Sequence, residues 1–281
     1  MQIIHIYKTG GRLANKAAVN YNNVSYLCII LMRRFAVNAY SRWKLNDTQL
    51  KIIACASMLA DHICYVLFPY VEAAEIIRAT VGRIAFPIYC FLLVEGFLHT
   101  KNRIFYCLRL AVFAALSEVF FDTAFFKSVI DPRHQNVFFT LLLGLLLCCI
   151  LDKIRMVILE KRDNSQKPYI VSFFGLMLQV LVILGFMVIA YRLKTDYSYR
   201  GILAIAAFYF FRFLHPRYSA LAGITLMNLP RFTMPGAYLA VIFIDRYDHT
   251  LGKITKAGKY AFYAFYPAHL LILVLLRNFL R

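Results

Sequence analysis

The 281-residue chain has no Cys-x-x-Cys pair, no glycine-rich phosphate loop, no Gly-x-Ser-x-Gly elbow and no His-Glu-x-x-His. Those absences exclude a thiolate metal knuckle, a P-loop nucleotide site, the hydrolase nucleophile and a zincin centre. The seven cysteines fall almost entirely within apolar runs and read as small packing residues. Acidic residues are also scarce, 14 against 32 Lys and Arg, for a net charge of +18. The basic residues are scattered through short loops without a patch or an aromatic-interleaved surface, so nucleic acid is not the expected partner.

What the chain does have is apolar length. It is 61% hydrophobic with a mean hydropathy of +0.63, and its apolar runs reach about 18 to 22 residues, the length a bilayer requires. The expected fold is all-α, a polytopic transmembrane bundle with the lipid bilayer as its surroundings. Nine spans are predicted, roughly 50 to 69, 76 to 98, 104 to 122, 136 to 151, 169 to 190, 200 to 214, 218 to 228, 234 to 246 and 260 to 279. With the N-terminus inside, the inner segments hold 22 of the 32 Lys and Arg, which predicts a multi-pass protein of the cell membrane with a cytoplasmic N-terminus.

Residues 1–44 are Asn-rich and basic, with a single apolar run, Val24 to Met32, too short to span. They read as an interfacial or disordered tail preceding one transmembrane domain over 45–281. Met32 also offers an ordinary start position.

Ionisable residues recur at helical depth, where charge is costly without a partner or a task. Asp61 and His62 sit within the first long apolar run, LKIIACASMLADHICYVLFP. Arg83 precedes Pro87 in the second span, with Glu95 near its inner end; Arg109, Glu118 and Asp122 fall in the third, and His269 in the last. Glu118 and Asp122, one turn apart, suit an interhelical contact, and Arg109 can snorkel. Consecutive helical residues point about 100° apart, so Asp61 is poorly placed to orient the His62 ring. Asp61 is expected to pair with Arg83 instead and fix the rotation of span one against span two.

Six blocks, in order, resemble the TraX family of membrane proteins, whose founding member acetylates the N-terminus of F-pilin using acetyl-CoA. They are LKIIACASMLADHICYVLFP, GRIAFPIYCFLLVEGFLHT, RLAVFAALSEVFFDTAF, NVFFTLLLGLL, DYSYRGILAI and KYAFYAFYPAHLLIL, together covering roughly Leu45 to Leu273. The resemblance carries over Asp61 and His62, Arg83 and Pro87, and Asn136, Tyr197, Gly201, Tyr266 and His269. It implies a membrane acyltransferase that moves an acetyl group from cytoplasmic acetyl-CoA, without a metal, to an amine or hydroxyl of an exported peptide or glycan. Such transfer needs a base for the acceptor proton and a donor or cation for the oxyanion. His62 is the expected base and His269 the second candidate, with Arg83 or Asn136 facing the thioester carbonyl. Tyr197 and Tyr266 are expected to line the acceptor site. Arg212, Arg217, Lys256 and Lys259 are expected to hold the donor phosphates. A proton-coupled transporter and a noncatalytic membrane assembly factor are the competing readings, the first of which lacks a detectable internal repeat.

Overall fold

A computed structural model describes residues 44–253 and 255–280. The tail reading for 1–44 falls, apart from Lys44, outside the described residues. The described chain is helical throughout: α1 (Asp47–Leu67), α2 (Glu72–Ala79), a 3-10 turn (Val81–Ile84), α3 (Ala85–His99), α4 (Arg103–Phe126), α5 (Val137–Asp163), α6 (Pro168–Arg192), α7 (Ser198–Phe210), α8 (Pro216–Asn228), a 3-10 turn (Pro235–Leu239), α9 (Ala240–Ile244) and α10 (Lys256–Phe279).

Each predicted apolar run is an element, but not every element is long enough to cross a bilayer. Six stretches among the described residues have the length and apolar content: Asp47–Leu67, Glu72–His99, Arg103–Phe126, Val137–Asp163, Pro168–Arg192 and Gly258–Phe279. The runs read as spans six, seven and eight are α7 and α8 of 13 residues each and the shorter apolar stretch Pro235–Ile244. At 1.5 Å per residue, 13 residues reach roughly 20 Å against a hydrocarbon layer of about 30 Å. Among the described residues there are therefore six helices of spanning length and three shorter apolar ones, and the expected count of nine spans is not reached by length alone.

Composition explains which helices are central. α7 is small-sided, with Gly201, Ala204, Ala206 and Ala207 buried among its neighbours, so adjacent helices approach closely. α6 instead presents Phe173, Phe174, Leu176, Leu181 and Leu184 outward, as a lipid-facing helix does.

Polar caps and backbone pairs mark the two ends of the bundle. At one end α1 opens with a capping box, in which the Asn46 side chain accepts from Gln49 N and the Gln49 side chain accepts from Asn46 N, both at 3.0 Å. The same end receives the segment after α9, through Leu45 N to Arg246 O at 2.8 Å and Asp47 N to Thr250 O at 3.0 Å. At the other end, Gln135 N donates to Lys194 O and Asp196 N to Gln135 O, joining the start of α5 to the segment after α6. Arg277, near the end of α10, donates there to Thr123 O and Ala124 O at 3.0 and 2.8 Å. The chain's first and last described helices thus start and finish at opposite ends.

The second span is not one continuous helix. It breaks at Thr80, where the 3-10 turn begins, and Ser57 Oγ of α1 donates to Val81 O at 2.6 Å. Pro87 falls in the first turn of α3, where its missing N–H costs no helical bond. Two glycines make the break possible by close approach. A Cβ on Gly82 would lie 2.6 Å from Asp61 Oδ1, and one on Gly236 would press on Ala79 O and stand 2.7 Å from Thr80 Cα. The second clash is with backbone, which has little room to yield. Gly236→Ala is accordingly expected to lower stability by about 1–3 kcal/mol, read as an earlier thermal unfolding transition of the detergent-solubilised protein; an unchanged transition would mean that the 3-10 turns do not bear on each other.

Candidate functional site

The first and last helices meet at a pair of buried histidines. His62, five residues from the end of α1, places Nδ1 2.7 Å from Nε2 of His269 on α10. The imidazole planes are 14° apart with centroids at 5.0 Å, an edge-on alignment that suits a linear hydrogen bond. His269 Nδ1 lies 2.7 Å from Phe265 O, one turn earlier. A carbonyl only accepts, so His269 Nδ1 carries a proton. In the neutral ring the Nε2 lone pair then accepts from His62 Nδ1–H, and His62 Nε2 is left as the basic nitrogen. This tautomer assignment follows from the hydrogen-bond network.

Aromatic rings enclose the pair. Phe125 meets His62 edge-on at 5.1 Å, Tyr266 lies 6.0 Å from His62 and 5.6 Å from His269, and Phe138 packs edge-on against Tyr266 at 5.3 Å. The three-residue spacing of Tyr266 and His269 puts both on the face of α10 turned into the bundle, where each is buried.

Asp61 does not form the expected ion pair with Arg83. The cation within ion-pair distance among the described residues is Arg78 of α2, whose Nε stands 3.6 Å from Asp61 Oδ1. Arg78 also lies over the Tyr65 ring at 4.5 Å and donates to Glu75 at 2.9 Å. Arg83 stands beyond ion-pair distance of Asp61 and faces Tyr197, Asp61 and Asp196 together, while Gly82 beside it packs directly on the Asp61 carboxyl. Sequence reasoning missed Arg78, and the legible signal was the Thr80-Val81-Gly82 interruption that follows it.

Tyr197 stands in the left-handed region at φ 59° and lies flat on Phe86, ring centroids 3.6 Å apart and planes 3° apart. Its N–H donates to Asp196 Oδ1 at 3.0 Å, and Thr140 Oγ1 donates to the Asp196 carbonyl. Gly201, one turn on, allows this packing, since its face meets Phe86 and Thr140. Asn136 is fully buried as the N-cap of α5: Oδ1 accepts from Phe138 N at 3.0 Å, and Nδ2 donates to Ala114 O at 2.8 Å and to Glu118 Oε2. Both amide hydrogens are engaged, so Asn136 has none left for a thioester carbonyl and serves to join α4 to α5. Asp122, one turn beyond Glu118, accepts from Asp131 N and holds the same connection.

The structure thus gathers Asp61, His62, Arg83, Asn136, Tyr197, Tyr266 and His269 toward one end of the bundle. It keeps three of the four expected phosphate ligands apart from them. Lys259 is exposed in the first turn of α10, Arg217 is held bidentate by Asp245 at 2.9 and 2.7 Å, and Arg212 lies over Tyr209 at 4.0 Å. The Lys256 side chain lies outside the described ones. Along α1, His62 is roughly 24 Å from the Asn46 end.

Two expectations follow from this geometry. In double-mutant cycles on thermal unfolding, Asp61→Asn should couple to Arg78→Gln by on the order of 1 kcal/mol and more weakly to Arg83→Gln; the reverse order would restore the Arg83 pair. Enclosure of the Asp196 carboxyl raises it to about 6, against the lowering influences of Tyr197 N–H and Arg83. A carboxyl raised on folding favours the folded state at low pH, so stability should fall as pH climbs from about 4 through about 6 and then level. Asp196→Asn, which keeps the acceptor for Tyr197 N–H, should flatten that fall in a pH series of melting temperatures; an unchanged slope would locate the titration elsewhere.

The chain is 26% identical over 242 residues to a protein named "Probable fimbrial assembly protein FimC, serogroup H1" from Dichelobacter nodosus, covering 83% of this chain and 96% of that one. No solved structure matches. The family model described as TraX protein matches residues 46–277, from the cap of α1 nearly to the end of α10, and the chain belongs to the TraX family.

Proposed function

We propose that this protein is a membrane acetyltransferase of a pilus-assembly setting, moving an acetyl group from cytoplasmic acetyl-CoA to an amine or hydroxyl of an exported peptide or glycan. The observation that carries the proposal is the chain Phe265 O, His269, His62, which leaves a lone pair on His62 Nε2 inside an aromatic enclosure. A neutral imidazole with a second imidazole behind it is suited to take a proton from a nucleophile, because the positive charge formed is shared across a short hydrogen bond.

In the proposed reaction the acceptor nitrogen or oxygen bonds to the thioester carbonyl carbon while its proton passes to His62 Nε2. The carbonyl electrons move onto oxygen, and the Arg83 guanidinium stabilises that charge. The oxyanion then collapses, the carbon–sulfur bond breaks, and His62 returns the proton to the departing thiolate. His269 touches no reacting atom and is a positioning residue. Tyr266 and Tyr197 form the walls against which the acceptor lies, and Asp61 with Arg78 holds α1 against the broken second span. In this reading the N-terminus is cytoplasmic, and Lys259, Lys256 and Arg212 lie on the cytoplasmic side.

The fimbrial-assembly name of the relative also suits a noncatalytic assembly factor, and one experiment separates the two. His62→Ala should abolish release of free CoA from acetyl-CoA by the purified protein while leaving membrane insertion and the elution profile intact. His269→Leu should lower the rate by about 100-fold, and His269→Gln, which keeps an acceptor for His62 Nδ1–H, should retain far more. A fold-intact protein with no histidine-dependent release would favour the assembly factor.

A further inference from the structure

At the end of the bundle opposite the histidines, two arginines pair with one carboxylate and a third arginine lies nearby. Asp152 of α5 accepts Nη1 of Arg103, from the first turn of α4, at 2.8 Å. Its other oxygen stands 3.8 Å from Nε of Arg155, one turn along α5, and 3.4 Å from the Tyr209 hydroxyl that donates to it. Arg212, in the turn after α7, lies over the rings of Tyr209 at 4.0 Å and Phe213 at 4.2 Å, and Arg155 faces Phe213 at 5.9 Å.

Three cations around one anion leave a formal excess of two positive charges. Arg103 with Asp152 alone would complete a structural ion pair, so Arg155 and Arg212 are surplus to it. Arg155 Nε is enclosed without a hydrogen-bond partner. Burial and the nearby Arg155 both penalise the charged form of Arg212. Glu95, which shares a small pocket with Arg212, is flanked by its own partners, His99 at 3.7 Å and His249 at 3.6 Å. The side chains of Arg103 and Arg155 are 38% and 40% exposed, so the cluster is open to a ligand from outside.

The geometry points to a phosphate-binding site formed by Arg103, Arg155 and Arg212 over the Tyr209 and Phe213 rings. Guanidinium forks match a tetrahedral oxyanion in shape and donor number, and they tolerate the partly apolar floor better than an ammonium group does. As an anchor for the phosphates of a soluble acyl donor the site rests on the transfer reading above. As a seat for the phosphate of a lipid headgroup it does not.

The full chain in phosphatidylcholine nanodiscs, titrated calorimetrically with CoA, tests the soluble source, and retention of phosphatidylglycerol in native mass spectra tests the lipid one. For a soluble ligand, Arg155→Gln should raise the Kd for CoA about tenfold. Asp152→Asn, which still accepts from Arg103 and Tyr209, should lower it. Added salt should weaken binding throughout. For a lipid ligand, Arg155→Gln should abolish phosphatidylglycerol retention while CoA binding stays as in the native chain. If neither ligand responds to Arg155→Gln, or if the Arg155 and Asp152 variants shift binding in the same direction, the site is overturned. Arg155-dependent binding in a protein with no histidine-dependent CoA release would keep the site and remove the transfer reading; release that persists without such binding would do the reverse.

Discussion

A polar group at depth among apolar helices must find its partner within the protein, because lipid supplies none. That constraint organises this structure. His62 has His269, His269 has the Phe265 carbonyl, Asp61 has Arg78, and Asn136 has Glu118 and the Ala114 carbonyl. Each of these contacts except the Phe265 bond joins two elements. The polar set thus holds the bundle in one arrangement as well as equipping its site, in a setting where apolar burial distinguishes poorly between a neighbouring helix and a lipid tail.

The placement of the apolar elements was legible because hydropathy and charge bias are local signals. The lengths of α7 and α8 were less so, since their apolar character continues into turns such as Phe211 to Leu214 that no longer carry a helix. At the site, both histidines stood out as ionisable residues in apolar runs, yet nothing in the sequence links positions 207 residues apart. The Arg78 partner was missed because periodicity counts straight through the break at Thr80, which leaves the end of α2, not Arg83, within ion-pair distance of Asp61. The capping role of Asn136 was hidden because the predicted helix began on that residue and not after it.

The two ends of the molecule differ in kind. The end near Asp61 and Tyr197 gathers carboxylates, phenols and imidazoles around an aromatic enclosure, whereas the end near Arg103 and Arg212 gathers guanidinium groups around a single carboxylate. The proposed acyl transfer would use this division, with charge recognition on one side and proton transfer toward the other.

The histidine pair has a further consequence for biosynthesis. One partner belongs to the first described helix and the other to the last, so the pair cannot form until α10 has been made and has joined the bundle. A protein interrupted before that point carries an imidazole without its mate and an incomplete enclosure around it. Under the proposed transfer, reactivity would arrive last, and partially inserted chains would be chemically silent.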